Sequence, residues 1–317
     1  MKLKDKLKAY IIPYYKVYLY YRNKLFCKIN PQIAANDVYK RVFGHNINWE
    51  NPQDLIEKIL WMELYTDTSL WTKCADKYRV REYIKEKGCE ETLVKLYGAW
   101  ENPEEIDFDS LPNRFVLKAN NGCGTVMIVK DKNKLNRKKT IKTLKSWLKR
   151  PFGYSSAQLH YLDIKRCIIA EELLSKEAGH DLFSPHSLVD YKVWCINGKP
   201  ESILVTYDRT KNNLKMDLYT TNWERMQNEI IGGKHYKRNT GDILPKPGCL
   251  TKMLEYATKL SKEFPQVRVD FYIANDKIYF GELTLSSGYG YFTPEYYKYL
   301  GSKIDLSKLK KQPQRRV

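Results

Sequence analysis

The chain of 317 residues has no run of about 20 apolar residues, the length an ordinary membrane-spanning helix needs. Its N-terminus, MKLKDKLKAYIIPYYKVYLYY, has neither a long apolar core nor a small-residue cleavage site, so no secretory signal is expected. Seven cysteines (27, 74, 89, 123, 167, 195 and 249) are odd in number and never fall at C-x-x-C spacing, which points to free thiols in a reducing cytoplasm and away from a disulfide frame or zinc site. The five histidines show no metal-ligand spacing either. The G-x-x-x-x-G-K-[ST] phosphate loop is absent and no good dinucleotide fingerprint is found. No zinc finger, RRM signature or helix-turn-helix pattern is visible, which disfavours nucleic acid as a partner. Internal repeats and low-complexity linkers are missing too.

What the chain has in excess is positive charge, formally +18. A charge of that size speaks of partners and not of fold: anionic lipid, acidic polymer or acidic substrate. Before residue 30 lie Lys2, Lys4, Lys6, Lys8, Lys16, Arg22, Lys24 and Lys28 against the single acid Asp5, with Tyr10, Ile11, Ile12, Tyr14, Tyr15, Tyr18, Tyr20 and Tyr21 among them. Cations mixed with tyrosine suit peripheral contact with an anionic membrane, where phenols sit at headgroup level. The same segment also reads as a helix that packs its tyrosines onto the domain. The final stretch, KLKKQPQRRV, reads as a disordered basic tail.

With 43% hydrophobic residues the chain can bury a substantial core. Leu55, Ile56, Ile59, Leu60 and Leu64 repeat at helical spacing behind Pro52. A second helix is expected from Asp76, as N-cap, to Lys87, with Gly88 as the stop. TLVKLYGAW, RFVLKAN, RCIIAEELL and DYKVWCINGKPESILVTY read as strands, Lys130 to Arg150 as a basic helical region, and Leu250 to Phe264 as a helix stopped by Pro265. Strands, helices and hairpins in mixed order give an α+β (mixed α/β) chain of several small sheets.

VRVDFYIANDKIYFGELTLSSGYG, residues 267–290, places two carboxylates in a predicted hairpin. Val267, Val269, Phe271 and Ile273 share one face of the first strand; Arg268, Asp270 and Tyr272 share the other. In the second strand Ile278, Phe280, Glu282 and Thr284 fall on one face by the same alternation, with ANDK as the turn. A loop with an odd number of residues would set Asp270 directly across from Glu282. Facing carboxylates repel, and Mg²⁺ between them would remove that penalty. An even loop would leave two solvated acids at a sheet edge.

FVLKANNGCGTVMIV, residues 115–129, is a second predicted hairpin, around KANNGCGT. Gly122 and Gly124 permit positive φ and close backbone approach, successive loop N–H groups can form an anion nest, and Lys118 can reach the same anion. A plain turn fits those residues as well. The order of the motifs carries more than any one of them: a Lys-bearing strand with a Gly-rich hairpin, then IIAEELL, then the two-carboxylate hairpin. That order resembles the ATP-grasp superfamily. ADKYRVREYIKEKG, DYK, GKP and VRVDFY…IYFGELT together resemble its TupA-like branch, over roughly residues 50 to 305.

The resemblance implies an ATP-grasp fold, two α+β subdomains clamping ATP. It divides the chain into a basic N-terminal helical extension (1–45), an N-terminal subdomain (46–112), a lid subdomain (113–174), a C-terminal subdomain with the metal hairpin (175–305) and a basic tail (306–317). Carried onto this sequence, it makes Lys77 and Lys118 nucleotide contacts and the loop through Asn121, Gly122, Gly124 and Thr125 a phosphate lid. It makes Glu171, Glu172 and Leu173 the adenine and ribose hinge. Lys192 becomes a phosphate or acyl-phosphate contact, and Asp190 and Arg268 structural or substrate contacts. Asp270 and Glu282 become the Mg²⁺ ligands. Thr284 stands where the family often has Asn as third ligand, with Ser286 or Ser287 as substitutes. The implied cofactors are ATP and Mg²⁺. The implied activity is an ATP-dependent carboxylate–amine ligase acting on a bacterial surface polysaccharide, such as a capsule, or on its lipid-linked or nucleotide-linked sugar precursor, with an amino acid or other amine as partner. A sugar or polysaccharide kinase and a glycosyltransferase of the same pathway are the alternatives. The expected location is the cytoplasm, with peripheral contact at the inner membrane face.

Overall fold

The structure is a computed structural model that describes residues 3–149, 151–175, 184–185, 187–210, 213–233, 236–239, 241 and 243–317, with backbone alone for 3–13 and 16. Lys2 and Arg150, and the side chains of Lys4, Lys6, Lys8, Tyr10, Ile11, Ile12 and Lys16, lie outside the described residues.

Two helices open the chain, α1 (Leu3–Ile29) and α2 (Pro31–Phe43). Asn30 separates them by capping Gln32 N–H at 3.0 Å ahead of Pro31, and Gly44 ends α2 at φ +83°. α1 packs one face inward: Asn23 and Cys27 are buried, and Asn23 Nδ2 donates to the Ser155 carbonyl at 3.0 Å. Its other face stays exposed, Tyr14, Tyr18 and Tyr21 included.

α3 (Leu55–Tyr65) starts three residues after Pro52, because Asp54 and Glu57 form a reciprocal capping box there. The helix expected from Asp76 to Lys87 begins four residues later, as α5 (Val80–Glu86), and an unexpected short helix, α4 (Ser69–Ala75), ends just before Asp76. Asp76 is the reason: its carboxylate accepts from the Tyr78 and Arg79 N–H groups and holds a turn between them.

Two sheets follow. The first has the order β1-β4-β2-β3, from β1 (Leu96–Trp100), β2 (Phe115–Ala119), β3 (Val126–Val129) and β4 (Ile168–Glu172). β1, from the 46–112 segment, thus completes the sheet of the 113–174 segment. Phe115, Leu117, Ala119, Val129, Ile168 and Ala170 join Leu144 of α6 (Arg137–Lys149) in a core of their own.

The second sheet has the order β10-β9-β5-β6-β7-β8, from β5 (Asp190–Ile196), β6 (Lys199–Tyr207), β7 (Leu214–Thr220), β8 (Tyr236–Arg238), β9 (Gln266–Ala274) and β10 (Lys277–Thr284). α7 (Leu250–Ser261) covers one face, which carries Val193, Cys195, Val267, Val269 and Phe271, all wholly buried. α8 (Pro294–Ser302) packs against α3. No helix among the described residues is long and apolar enough to cross a membrane.

The basic tail is not the disordered segment that its composition suggests. Gln312 and Arg315 N–H donate to the Tyr65 and Leu64 carbonyls at 2.8 Å, and the Arg315 guanidinium reaches Thr68 Oγ1, the Leu159 carbonyl and Asp163. Lys311 lies over the Trp61 and Tyr65 rings. Charge alone predicts solvation; backbone acceptors at the end of α3 outweigh it.

Candidate active site

The turn of the β9–β10 hairpin has two residues, Asn275 and Asp276, both at positive φ, the geometry favoured by tight hairpins. That is an even loop, and a regular ladder would then set Gly281 across from Asp270 and turn Glu282 into the core beside Val269. The ladder is not regular. It slips between Phe280 and Glu282, leaving Gly281 as a bulge, so that Glu282 pairs with Asp270 and Thr284 with Arg268. The expected sharing of one face by Ile278, Phe280, Glu282 and Thr284 therefore fails. Ile278 and Phe280 oppose Ile273 and Phe271 on the core side, while Glu282 and Thr284 face the other way with Asp270 and Arg268. A Cβ at Gly281 would meet the Asp270 carbonyl and the Tyr272 ring at 3.0 Å, which accounts for glycine at the bulge.

On that face β5 adds Lys192 across from Asp270 and Asp190 across from Tyr272. Lys192 Nζ lies 2.6 Å from an oxygen of each aspartate. Arg268 grips Asp270 with Nε to Oδ1 at 2.6 Å and Nη2 to Oδ2 at 2.7 Å, and its Nη2 reaches Thr284 Oγ1 at 3.0 Å and Glu282 Oε1 at 3.3 Å. Thr284 Oγ1 in turn donates to Glu282 Oε1 at 3.2 Å. Burial alone would raise the Asp270 carboxyl, but Arg268 and Lys192 hold it below the ordinary carboxylate value. Burial opposes charge on Lys192 as well, and the two aspartates outweigh it, so its ammonium sits above its ordinary value. Asp190 goes the other way: burial pushes its carboxyl up and Lys192 offsets this only in part. Its Oδ1 has no hydrogen-bond partner among the described residues.

The face of the first sheet that points away from its own core has a different chemistry. Register puts Val116, Lys118, Val126, Ile128, Ile169 and Glu171 together there. Lys118 Nζ donates to Glu171 Oε2 at 2.7 Å, and Arg81 approaches Glu171 Oε1 at 3.4 Å. Val126 and Ile128 are 48% and 57% exposed, an apolar surface with Glu171 paired to two cations beside it. Of the two acids expected at the hinge, Glu171 is the one beside Lys118; Glu172 is exposed on the opposite face, and Leu173 follows it half-buried.

The Gly-rich loop between β2 and β3 is held from both ends. Gly122 and Gly124 sit at φ +75° and +79°, and Lys77 Nζ donates to the Gly122 carbonyl. Asn121 is buried and Thr125 half-buried; the Thr125 carbonyl accepts from Ala119 N–H. Sequence reading missed Asn120, which is wholly buried, donates to Asp76 and the Lys165 carbonyl, and accepts from Cys167 N–H. Its only sequence signal was its place at the base of the loop. At the loop tip burial pushes the Cys123 thiol up; Glu282 adds to the rise and Lys77 opposes it. Burial raises the Tyr161 phenol as well, with Glu282 and Cys123 adding to the rise and Arg268 opposing it.

An Asp-x-Asp pair that the sequence reading passed over, Asp107 and Asp109, lies outside this group. Both are exposed, Asp109 N–H closes a turn on Asp107 Oδ1 at 3.0 Å, and the Asp109 carboxylate pairs with Arg137. It carries none of the metal-site character that a glycosyltransferase would need.

The loop geometry separates its two glycines. Gly122→Ala is expected to cost about 1–2 kcal/mol for the left-handed backbone and more for a Cβ placed 2.3 Å from the Phe152 ring. Gly124→Ala meets nothing within 4 Å and should show the backbone cost alone. Denaturant unfolding of both variants checks the order.

A model of the TupA-like ATP-grasp family matches residues 57–305. Among curated proteins nothing matches. Among solved structures, the D-alanine–D-alanine ligase of Bacillus anthracis aligns at 14% identity and TM-score 0.47, over 77% of this chain and 72% of that one. The same ligase complexed with ATP aligns at 13% identity and TM-score 0.44, over 76% of this chain and 66% of that one. An L-amino acid ligase from Bacillus licheniformis aligns at 13% identity and TM-score 0.40, over 70% of this chain and 44% of that one.

Proposed function

Because the chain belongs to the TupA-like ATP-grasp family, we propose that it is an ATP-dependent carboxylate–amine ligase whose nucleotide lies between its two sheets. One observation carries the reading: an apolar sheet face with Lys118 and Glu171, a Gly-rich loop pinned by Lys77, and a basic–acidic cluster around Asp270 converge from separate parts of the chain. The Val126 and Ile128 surface suits a base, and Glu171 can accept from ribose hydroxyls. Lys118, Lys77 and the loop N–H groups suit phosphates.

Mg²⁺ fits the hairpin by donor chemistry. It takes hard oxygen ligands and is commonly held by one or two carboxylates together with phosphate oxygens. Asp270 and Glu282 oppose each other; both Asp270 oxygens accept from Arg268 or Lys192, so a metal would share them with those cations, while Glu282 is engaged through Oε1 alone among the described residues. No cluster of three His, Cys, Asp or Glu occurs among the described residues, so the protein's share would be two carboxylates with Thr284 or Ser286 beside them. When bound, the metal would neutralise phosphate charge at the transferring group.

The chain's own groups do the positioning. A carboxylate oxygen of the acceptor attacks the γ-phosphorus, the bond to ADP breaks, and an amine then displaces inorganic phosphate to leave an amide. Arg268 and Lys192 place two fixed cations where negative charge spreads over the transferring oxygens. Asp190 and Asp270 hold those cations oriented in a buried site, where water screens them little. The acceptor is proposed to be a surface polysaccharide or its precursor, the amine an amino acid, and the location the cytoplasm.

ATP with Mg²⁺ is expected to stabilise the protein by about 2.7 kcal/mol at 100-fold excess over Kd. Lys118→Ala should remove most of that shift, and ADP release should depend on both a carboxylate acceptor and an amine. ADP release with an acceptor alone, unaffected by amines, would replace the ligase with a kinase. No thermal shift at millimolar ATP would sink the nucleotide reading.

A further inference from the structure

α1 meets two different environments. Its inner face is fixed: Asn23 and Cys27 are buried, Tyr20 packs edge-on against Tyr154 with centroids 6.0 Å apart, and Arg22 pairs with Asp37. Its outer face carries Tyr14, Tyr18, Tyr21, Leu25 and Ile29, exposed by 69%, 58%, 57%, 55% and 66%. Steps of four, three, four and four residues keep these five on one stripe, about 22 Å long at 1.5 Å per residue. Single exposed apolar residues are ordinary, but five in line on one helix make a contiguous surface.

The sequence repeats the spacing toward the N-terminus at Ile11, Leu7 and Leu3, all within α1. Cations border the stripe. At 100° per residue, positions 6, 24 and 28 run along one side of it and positions 4 and 8 along the other, and each is Lys; Arg22, on the second side, is already paired with Asp37. Up to residue 29 the only acid is Asp5.

That charge pattern selects the occupant. A second copy pairing through this stripe would bring two rows of cations together with almost no acid to answer them. An anionic lipid surface answers the flanking lysines. The stripe is also made of the right side chains: tyrosine presents an apolar ring and a hydroxyl that stays at headgroup depth, while leucine and isoleucine enter the acyl boundary. We infer that α1 is an interfacial anchor that lays Tyr14, Tyr18, Tyr21, Leu25 and Ile29 against an anionic membrane surface, its flanking cations on the headgroups. The inference is independent of the ligase reading, since none of these residues touches the two-sheet site.

The test uses the full chain and sedimentation with vesicles of phosphatidylcholine, with or without phosphatidylglycerol. Wild type should sediment with the phosphatidylglycerol vesicles at low salt, stay in solution with phosphatidylcholine alone, and release as salt screens the headgroup charge. Tyr18→Glu, Tyr21→Glu and Leu25→Glu together should weaken binding by more than about tenfold, as burying even one such side chain is worth at least that factor. Their melting temperature should hold, because all three are exposed in the fold. Lys24→Gln with Lys28→Gln should lower binding to phosphatidylglycerol vesicles and flatten its salt dependence. Full-length protein that ignores these vesicles at low salt, or a triple variant that binds like wild type, would overturn the anchor. So would a wild-type dimer in light scattering that the triple variant dissolves while vesicles stay unbound.

Discussion

Asp270→Asn is expected to stop ADP release and, unlike an ordinary active-site change, to weaken the fold as well. Asp270 is 1% exposed and balances two buried cations, Arg268 and Lys192. Removing one partner of a buried ion pair leaves an uncompensated charge and costs about 3–5 kcal/mol. Glu282→Gln should behave differently. Its side chain is 38% exposed and meets Arg268 only at 3.3 Å, so stability should change by less than about 1 kcal/mol. Its activity should still fall by on the order of a thousandfold, if several kcal/mol of transition-state charge stabilisation pass through the hairpin acids. Urea unfolding and an ADP-release assay on the two variants give a two-by-two comparison. Equal destabilisation by both would mean that the acids serve the fold in the same way, and full activity in Glu282→Gln would remove the hairpin from the chemistry.

Lys192→Met is the second large effect, and it carries a pH signature. Lys192 is the charged partner shared by Asp190 and Asp270, and without it two buried carboxylates lie near each other. A loss of about 3–5 kcal/mol is expected at neutral pH. Part of it should return on acidification, and the sign follows from Asp190. Its carboxyl is already above its ordinary value in the fold because burial disfavours the charge, and losing Lys192 raises it further. A carboxyl raised in the folded state binds more protons there than in the unfolded chain, so stability falls as pH rises from the ordinary value of 3.8 through the raised one. The variant should therefore be less deficient at mildly acidic pH than at neutral pH. Asp270 works in the opposite sense in the wild type: its depressed carboxyl contributes stability above the ordinary value, lost as pH falls through the folded one. Unfolding curves at two pH values on wild type and Lys192→Met check this. A deficit independent of pH would mean that Asp190 does not titrate in that window.

Much of the fold could be read from sequence because its signals are local. The Leu55-to-Leu64 spacing, the hairpins at 115–129 and 190–207, and the 250–261 helix all follow from side-chain period and turn residues. The late start of α5 could not be, because a carboxylate capping a turn looks the same in sequence as one capping a helix. The docked tail was also hidden. Arg315 finds acceptors on α3 and beyond it, contacts between residues far apart in the chain. The candidate site was legible in its residue types and not in its geometry. Alternation placed Arg268 with Asp270, but the pairing of Glu171 with Lys118 depends on register between β2 and β4. The buried Asn120 depends on three segments meeting.

The bulge at Gly281 bears on how relatives of this hairpin should be compared. Without Gly281 the ladder would run straight and Glu282 would still stand opposite Asp270, so a homologue one residue shorter here can keep the same acid pair. What such a hairpin requires is that both acids face the same side of the sheet, and a one-residue difference in interval is absorbed where a glycine bulge fits. An alignment scored on a fixed twelve-residue interval would reject the shorter hairpin and accept one of the same interval without the bulge, whose second acid points into the core. The useful criterion pairs the interval with the presence or absence of a small residue just before the second acid.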